Sequence, residues 1–262
     1  MDKTARPEVL LCDLDGVVWL EHQPIAGSVE ALATARAAGI DVLFVTNASF
    51  ARVEEVEAHL SRIGVEAVGR VVTSAVSAGT AVRPGWRVLV CGGGGLREEM
   101  TRAGCDVVVA HEHPGHPGPF DAVVVGLYRE FDFGVLTDAM RAVRSGALLI
   151  GSNNDNTYPT PSGPVPGGGA VLAAIATAAG VNPVVTGKPN SPMVELVRSR
   201  FPGVPPSAMV MVGDKVSTDG RFADALGCRF AFVLSGVGHP DEAPEGASVH
   251  ADLSSVIGSL IA

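Results

Sequence analysis

The chain has 262 residues, 47% of them hydrophobic and 18% charged, and a formal net charge of −9. That length builds one large domain or two modest ones around a real apolar core, and the acidic balance argues against a general nucleic-acid binder, which presents a basic face. No apolar run approaches the ~18 residues of a membrane helix, and the polar opening MDKTARPE lacks the apolar stretch of a secretory signal, so a cytoplasmic protein with no membrane partner is expected.

Short valine- and leucine-rich runs alternate with alanine-rich stretches of helical period, the pattern of a parallel sheet flanked by helices. EVLLCDL (8–14) reads as a strand, SVEALATARAAG (28–39) as a helix with a glycine stop, IDVLFVT (40–46) as a second strand and RVEEVEAHLSRIG (52–64) as a second helix. TSAVSAGTAVRPG (73–85) reads as a further helix closing on Pro84-Gly85. The rhythm then restarts with WRVLVCG, LREEMTRAG, CDVVVA, DAVVVG, FGVLTDAMRAVRSG and ALLIGS. A Pro/Gly/Asn-rich passage over 154–169 and the helix GAVLAAIATAAG lead to a third set: PVVTG, SPMVELVRSRF, AMVMVGD, TDGRFADALG and RFAFVLSG. Cys12, Cys91, Cys105 and Cys228 are far apart and form no C-x-x-C pair, so they read as reduced, mostly buried thiols.

In open α/β sheets, ligand groups gather at the carboxyl ends of the strands. Here the first strand runs into Asp13-Leu14-Asp15-Gly16, and the second ends in Thr46-Asn47-Ala48-Ser49. Later strands lead into Gly187-Lys188-Pro189 and Gly213-Asp214, with Thr218-Asp219 close behind. Each piece alone has a plain reading: a solvated turn or calcium loop, a turn with a surface lysine, a helix cap. Four such ends in one chain suit phosphoryl transfer through a covalent intermediate. A carboxylate attacks a phosphate ester if charge repulsion is neutralised, and a divalent cation on oxygen ligands does this. Lysine adds a point charge, while hydroxyl and backbone N–H groups hold the other phosphate oxygens. Carboxylates at i and i+2 divide the labour, one attacking and its like-charged neighbour, raised in pKa, moving the proton.

These residues resemble the haloacid dehalogenase superfamily of phosphatases: DLDGV matches its first motif, TNAS the second, GKP the third and GDKVSTDG the fourth. The long insertion between the second and third motifs is similar to the p-nitrophenylphosphatase-like subfamily, whose members include phosphoglycolate, glycerol-phosphate, pyridoxal-phosphate and nucleotide phosphatases. The resemblance implies a doubly wound parallel-sheet (Rossmann-like) α/β core over 1–83 and 183–262, with an inserted α/β cap domain over 84–182. It implies Asp13 as nucleophile, Asp15 as general acid/base, Thr46 and Asn47 as phosphate contacts, and Lys188 as the bridge between nucleophile and phosphate. It further implies magnesium on Asp13, the backbone carbonyl of Asp15, and Asp214, with Asp219 supporting. A dehalogenase is disfavoured, since those relatives lack the second aspartate of the first motif. Ala48 in place of a second asparagine, Tyr128 in place of an aspartate, Lys215 in place of arginine and Gly220 in place of isoleucine depart from the common pattern and bear on substrate choice.

Other features read more plainly. CGGGG (91–95) lacks the G-x-G-x-x-G spacing of a dinucleotide loop and reads as a loop-to-helix turn. GPVPGGGA (163–170) reads as a re-entry segment that could also offer amides to an anion. HEHPGH (111–116) is a loop without a completing zinc set. Trp19 is either pressed on substrate or buried, and Asn153 and Asp155 are the cap residues expected to touch substrate. The expected activity is magnesium-dependent hydrolysis of a small phosphomonoester, such as a phosphorylated C2–C3 metabolite. Alternatives are a nucleotide or pyridoxal-phosphate phosphatase, a mutase, or a non-hydrolytic phospho-acceptor or metabolite-binding protein; a homo-oligomer is left open.

Overall fold

The computed structural model describes residues 6–20, 22–115, 118–158, 160 and 162–262; His116 of the HEHPGH loop lies outside them. By internal contacts the chain forms two compact units. One comprises the described residues up to Thr46, Glu54–Val72 and Lys188–Ala262; the other comprises Asn47–Val53 and Thr73–Gly187.

The first unit is built on a six-stranded sheet whose order is Ser248–His250, Arg229–Val233, Met209–Gly213, Val9–Cys12, Asp41–Thr46, Val71–Thr73. Val9–Cys12 pairs in parallel with Met209–Gly213 on one side and with Asp41–Thr46 on the other. The first strand of the chain is therefore the centre of the sheet, and the winding reverses there. Ligands in such sheets bind at that reversal, beyond the carboxyl ends. All four residues of Val9–Cys12 are buried, as a strand covered on both faces requires. One covering layer packs Met193, Val194 and Val197 of the helix Ser191–Arg200, with Phe222, Ala223 and Leu226 of Arg221–Leu226, onto Val9, Leu11, Leu43 and Met211. The helix Ser28–Ala37 meets Leu253–Ile261. The latter starts at Asp252, whose carboxylate accepts from Ser255 N at 2.8 Å, a cap that satisfies one orphan amide. Neither this helix nor the strand Ser248–His250 is expected from the apolar patterning.

The second unit holds a five-stranded parallel sheet in the order Val184–Val185, Leu148–Gly151, Ala122–Val125, Arg87–Cys91, Asp106–Val109. The helices Phe133–Arg144 and Gly168–Ala179 pack one face through Val135, Ala139, Leu172 and Ile175. The other face meets Ser74–Gly79 and Gly94–Arg102 through Ala75, Ala78, Leu96 and Met100. The bounds of the units differ from the division at 84 and 182 expected from sequence. Residues 73–83 join the second unit because Ala75, Ala78 and Val82 share a core with Val88, Val90 and Leu96. Residues 183–187 join it because Val184 and Val185 pair with Ile150 and Gly151.

All four cysteines are free, with Cys12 and Cys91 buried. Among the described residues no helix is long and apolar enough to cross a membrane.

Candidate active site

Asp13 follows the central strand directly, and its N–H donates to Val212 O at 3.0 Å, extending the pairing by one residue. The chain then turns over Leu14, whose carbonyl accepts from the amides of Val18 and Trp19 at 2.9 and 3.2 Å. Leu14, Val17 and Val18 are buried, so apolar anchors fix a turn that carries Asp13 and Asp15 on either side of Leu14. Gly16 completes it at φ +80°, a conformation that other L-residues rarely adopt.

The segments that follow the strands Val184–Val185 and Met209–Gly213 supply the rest. Lys188 is one of the largest fully buried side chains of the protein. Its Nζ lies 2.9 Å from Asp13 Oδ1 and 2.7 Å from Asp219 Oδ1. Asp219 sits on the π-helical turn Val216–Gly220, and its other oxygen accepts from Lys215 N at 3.2 Å. Asp214 follows the strand Met209–Gly213, and its Oδ2 accepts from Val237 N at 2.8 Å. Glycine is needed on both sides of Asp214: a Cβ on Gly16 would lie 2.3 Å from its Oδ2, and one on Gly236 only 1.9 Å. Asp15 Oδ1 accepts from Trp19 Nε1 at 3.0 Å.

Four carboxyl groups thus gather around one ammonium, and burial and mutual charge shift three of them. Burial, then the charge of Asp13, pushes the Asp15 carboxyl up to about 6. The same two causes push Asp214 up to about 6. Burial pushes Asp219 up against the pull of Lys188. For Lys188, burial alone would lower the ammonium, but Asp13 and Asp219 outweigh it and push it up, so it stays charged. Asp13, Asp214 and Asp219 can each bring a carboxylate oxygen within 4.8 Å of the others. Hard oxygen donors with excess negative charge fit a small divalent cation such as magnesium.

Asn47, Asn153 and Asp155 form a separate set within the second unit. Asn47 Nδ2 donates to Asp155 Oδ2 at 2.9 Å, Asn153 Nδ2 donates to Asn47 O at 2.8 Å, and Asp155 N donates to Asn153 Oδ1 at 3.1 Å. Asn153 is buried, so both ends of its amide serve to order the loop. Thr46 is buried at the end of its strand in the first unit. Tyr128 is also buried and accepts from His111 N at 2.9 Å, which makes it part of the core of its unit. At Gly220 a Cβ would come within 3.2 Å of Phe230 and Val216, which accounts for the small residue there.

The segment Ser235–Gly238 joins the site although no motif in the sequence marks it. It brings Val237 N to Asp214, and Ser235 Oγ to Gly16 O at 2.7 Å. The available signal was two glycines, Gly236 and Gly238, just beyond another parallel strand end. The sequence leaves Trp19 either pressed on substrate or buried and gives no sign that it donates to Asp15.

The family described as haloacid dehalogenase-like hydrolase matches residues 10–106, and that described as HAD-hydrolase-like matches residues 185–257. D-glycerol 3-phosphate phosphatase of Mycobacterium tuberculosis is 39% identical over 237 residues, 88% of this chain and 64% of that protein; the chain spans less than two thirds of that relative's length. Chronophin of Rattus norvegicus is 33% identical over 255 residues, covering 92% of this chain and 81% of its own. A crystal structure of the glycerol phosphate phosphatase of Mycobacterium tuberculosis in complex with magnesium superposes with a TM-score of 0.83 at 36% identity, over 95% of this chain and 76% of that one.

Proposed function

Since the chain belongs to the haloacid dehalogenase-like hydrolases, we propose that it is a magnesium-dependent phosphatase hydrolysing a small phosphomonoester through an aspartyl-phosphate on Asp13. The observation that carries this reading is the buried Lys188 ammonium, 2.9 Å from Asp13 Oδ1, among four carboxyl groups. A structural ion pair would need one carboxylate; the surplus calls for a cation, which in turn can hold a phosphate.

In this reading Asp13 and Asp214 hold magnesium through their carboxylates and Asp15 through its backbone carbonyl, with Asp219 supporting. Bound there, the cation offsets the repulsion between carboxylate and phosphate. Asp13 attacks phosphorus with one oxygen while the bond to the ester oxygen breaks. Lys188 holds a phosphate oxygen and keeps Asp13 aimed; Asp219 fixes Lys188 in turn. Thr46 and Asn47 provide further phosphate contacts. Asp15, raised to about 6 by burial and by Asp13, gives its proton to the leaving alkoxide. It then takes a proton from the water that attacks the acyl phosphate, so that inorganic phosphate leaves and Asp13 is restored.

The substrate class proposed is a phosphorylated C2–C3 metabolite, supported by the 39% identity to a glycerol phosphate phosphatase. A substrate-selecting cap over 84–182, with Asn153 and Asp155 as its contacts, belongs to the same proposal. A cytoplasmic setting is supported by the four free cysteines. The test is a panel of phosphate esters, including glycerol phosphate, nucleotide monophosphates and pyridoxal phosphate, assayed for free phosphate with and without magnesium. Metal-dependent release that Asp13→Asn abolishes is expected. Undiminished release by that variant would remove Asp13 as the nucleophile.

A further inference from the structure

Trp19 is 3% exposed, and its indole N–H is spent on a single partner, Asp15 Oδ1, at 3.0 Å. The ring is held firmly for that purpose. Its carbonyl accepts from Gly16 N at 2.8 Å, and Trp19 pairs antiparallel with Pro24. His22 and His59 present their rings to the indole with centroids at 5.4 and 5.1 Å, inclined at 61° and 84°. His59 is itself clamped. Its Nε2 lies 2.9 Å from His22 O, which can only accept, and its Nδ1 lies 2.9 Å from Arg62 Nη2, which can only donate. Those two bonds together assign the ring proton to Nε2.

An indole N–H differs from the hydroxyl or amide that could stand in this place, because it donates and cannot accept. A protonated carboxyl has one carbonyl oxygen and one hydroxyl oxygen. The carbonyl oxygen is the stronger acceptor of the two, so the indole N–H on Oδ1 favours the form in which Oδ2 carries the acid's hydrogen. The donor cannot take that hydrogen back, so it remains available to a third group.

We propose, resting on the phosphatase reading above, that Trp19 is a positioning residue that pins Asp15 Oδ1 and so presents the acidic hydrogen on Oδ2 to the leaving oxygen of the substrate. As the phosphorus–oxygen bond breaks, its electron pair goes to the leaving oxygen, and the hydrogen passes from Oδ2 to that oxygen. Asp15 is left as a carboxylate still held through Oδ1, with Oδ2 free to take a proton from the attacking water. His22 and His59 hold the indole and do not touch the substrate.

The contribution of proton donation depends on the leaving group, and that separates positioning from mere support. Glycerol leaves as a poorly stabilised alkoxide and needs the proton; p-nitrophenolate leaves without it. Trp19→Phe keeps the ring and deletes the donor. It is expected to lower kcat for glycerol phosphate by a factor roughly tenfold larger than its loss for p-nitrophenyl phosphate, with KM for both esters little changed. Replacing the indole with its benzothiophene isostere preserves shape more closely and is expected to give the same split, which guards against a folding defect in the phenylalanine variant. Equal losses on the two esters, or no loss on either, would overturn the assignment of Trp19. Asp13→Asn, run alongside, tests the underlying reading separately: turnover of both esters by that variant would overturn the phosphatase mechanism and with it the role given to Trp19.

Discussion

The Lys188 ammonium and the Asp219 carboxylate meet at 2.7 Å, both withdrawn from solvent. A buried pair of this kind contributes little over an apolar one, but removing one partner strands the other at a cost of about 3–5 kcal/mol. Lys188→Met is therefore expected to lower unfolding stability by about that amount. Lys188→Met combined with Asp219→Asn is expected to recover part of the loss. Urea denaturation of the three proteins checks this, and a double variant no more stable than the single would show that the pair is not coupled.

Stability without magnesium should depend on pH through the same pocket. Asp15 and Asp214 are raised from 3.8 to about 6 in the folded protein. Between ~4 and ~6 the folded state binds more protons than the unfolded, so stability is greatest at the acid end of that window and falls as pH rises through it. Each rise costs the folded state up to about 3 kcal/mol at neutral pH. In the proposed site magnesium takes the Asp214 carboxylate in its deprotonated form, so it should raise Tm more at pH 7.5 than at pH 5. Thermal melts with and without the metal at both values provide the check.

Gly236→Ala should damage the proposed cation site without replacing a ligand. Its Cβ would lie 1.9 Å from Asp214 Oδ2, so the carboxylate must move. An apparent magnesium affinity weaker by about 10–100-fold is expected, read from a magnesium titration of activity.

Gly258→Ala makes the contrasting case. A Cβ there meets nothing within 4 Å, and the residue lies inside the helix Leu253–Ile261. Alanine in a helix interior is worth about 0.5–1 kcal/mol over glycine, so the variant should melt higher than the parent with its magnesium affinity intact.

Asp13, Asp15, Lys188 and Asp214 were legible in the sequence because a buried parallel strand is an apolar run, and a charge directly after it marks the carboxyl end. What the sequence hid depends on distance along the chain. Ser235 bonds to Gly16, and Asn153 orders Asn47, across separations that no local pattern records. The helix Leu253–Ile261 was hidden for another reason: serines and a glycine interrupt its apolar period, and the Asp252 cap carries its start. Trp19 illustrates a third case, since an indole beside a motif reads equally as a substrate contact or as core until its N–H is found on Asp15.

The most direct measurement is an acid quench during turnover of a radiolabelled phosphate ester with magnesium present, followed by peptide mapping. Transient label is expected on the peptide that carries Asp13, lost at alkaline pH as an acyl phosphate and absent in Asp13→Asn. Steady turnover with no label on the protein, undiminished in Asp13→Asn, would contradict it.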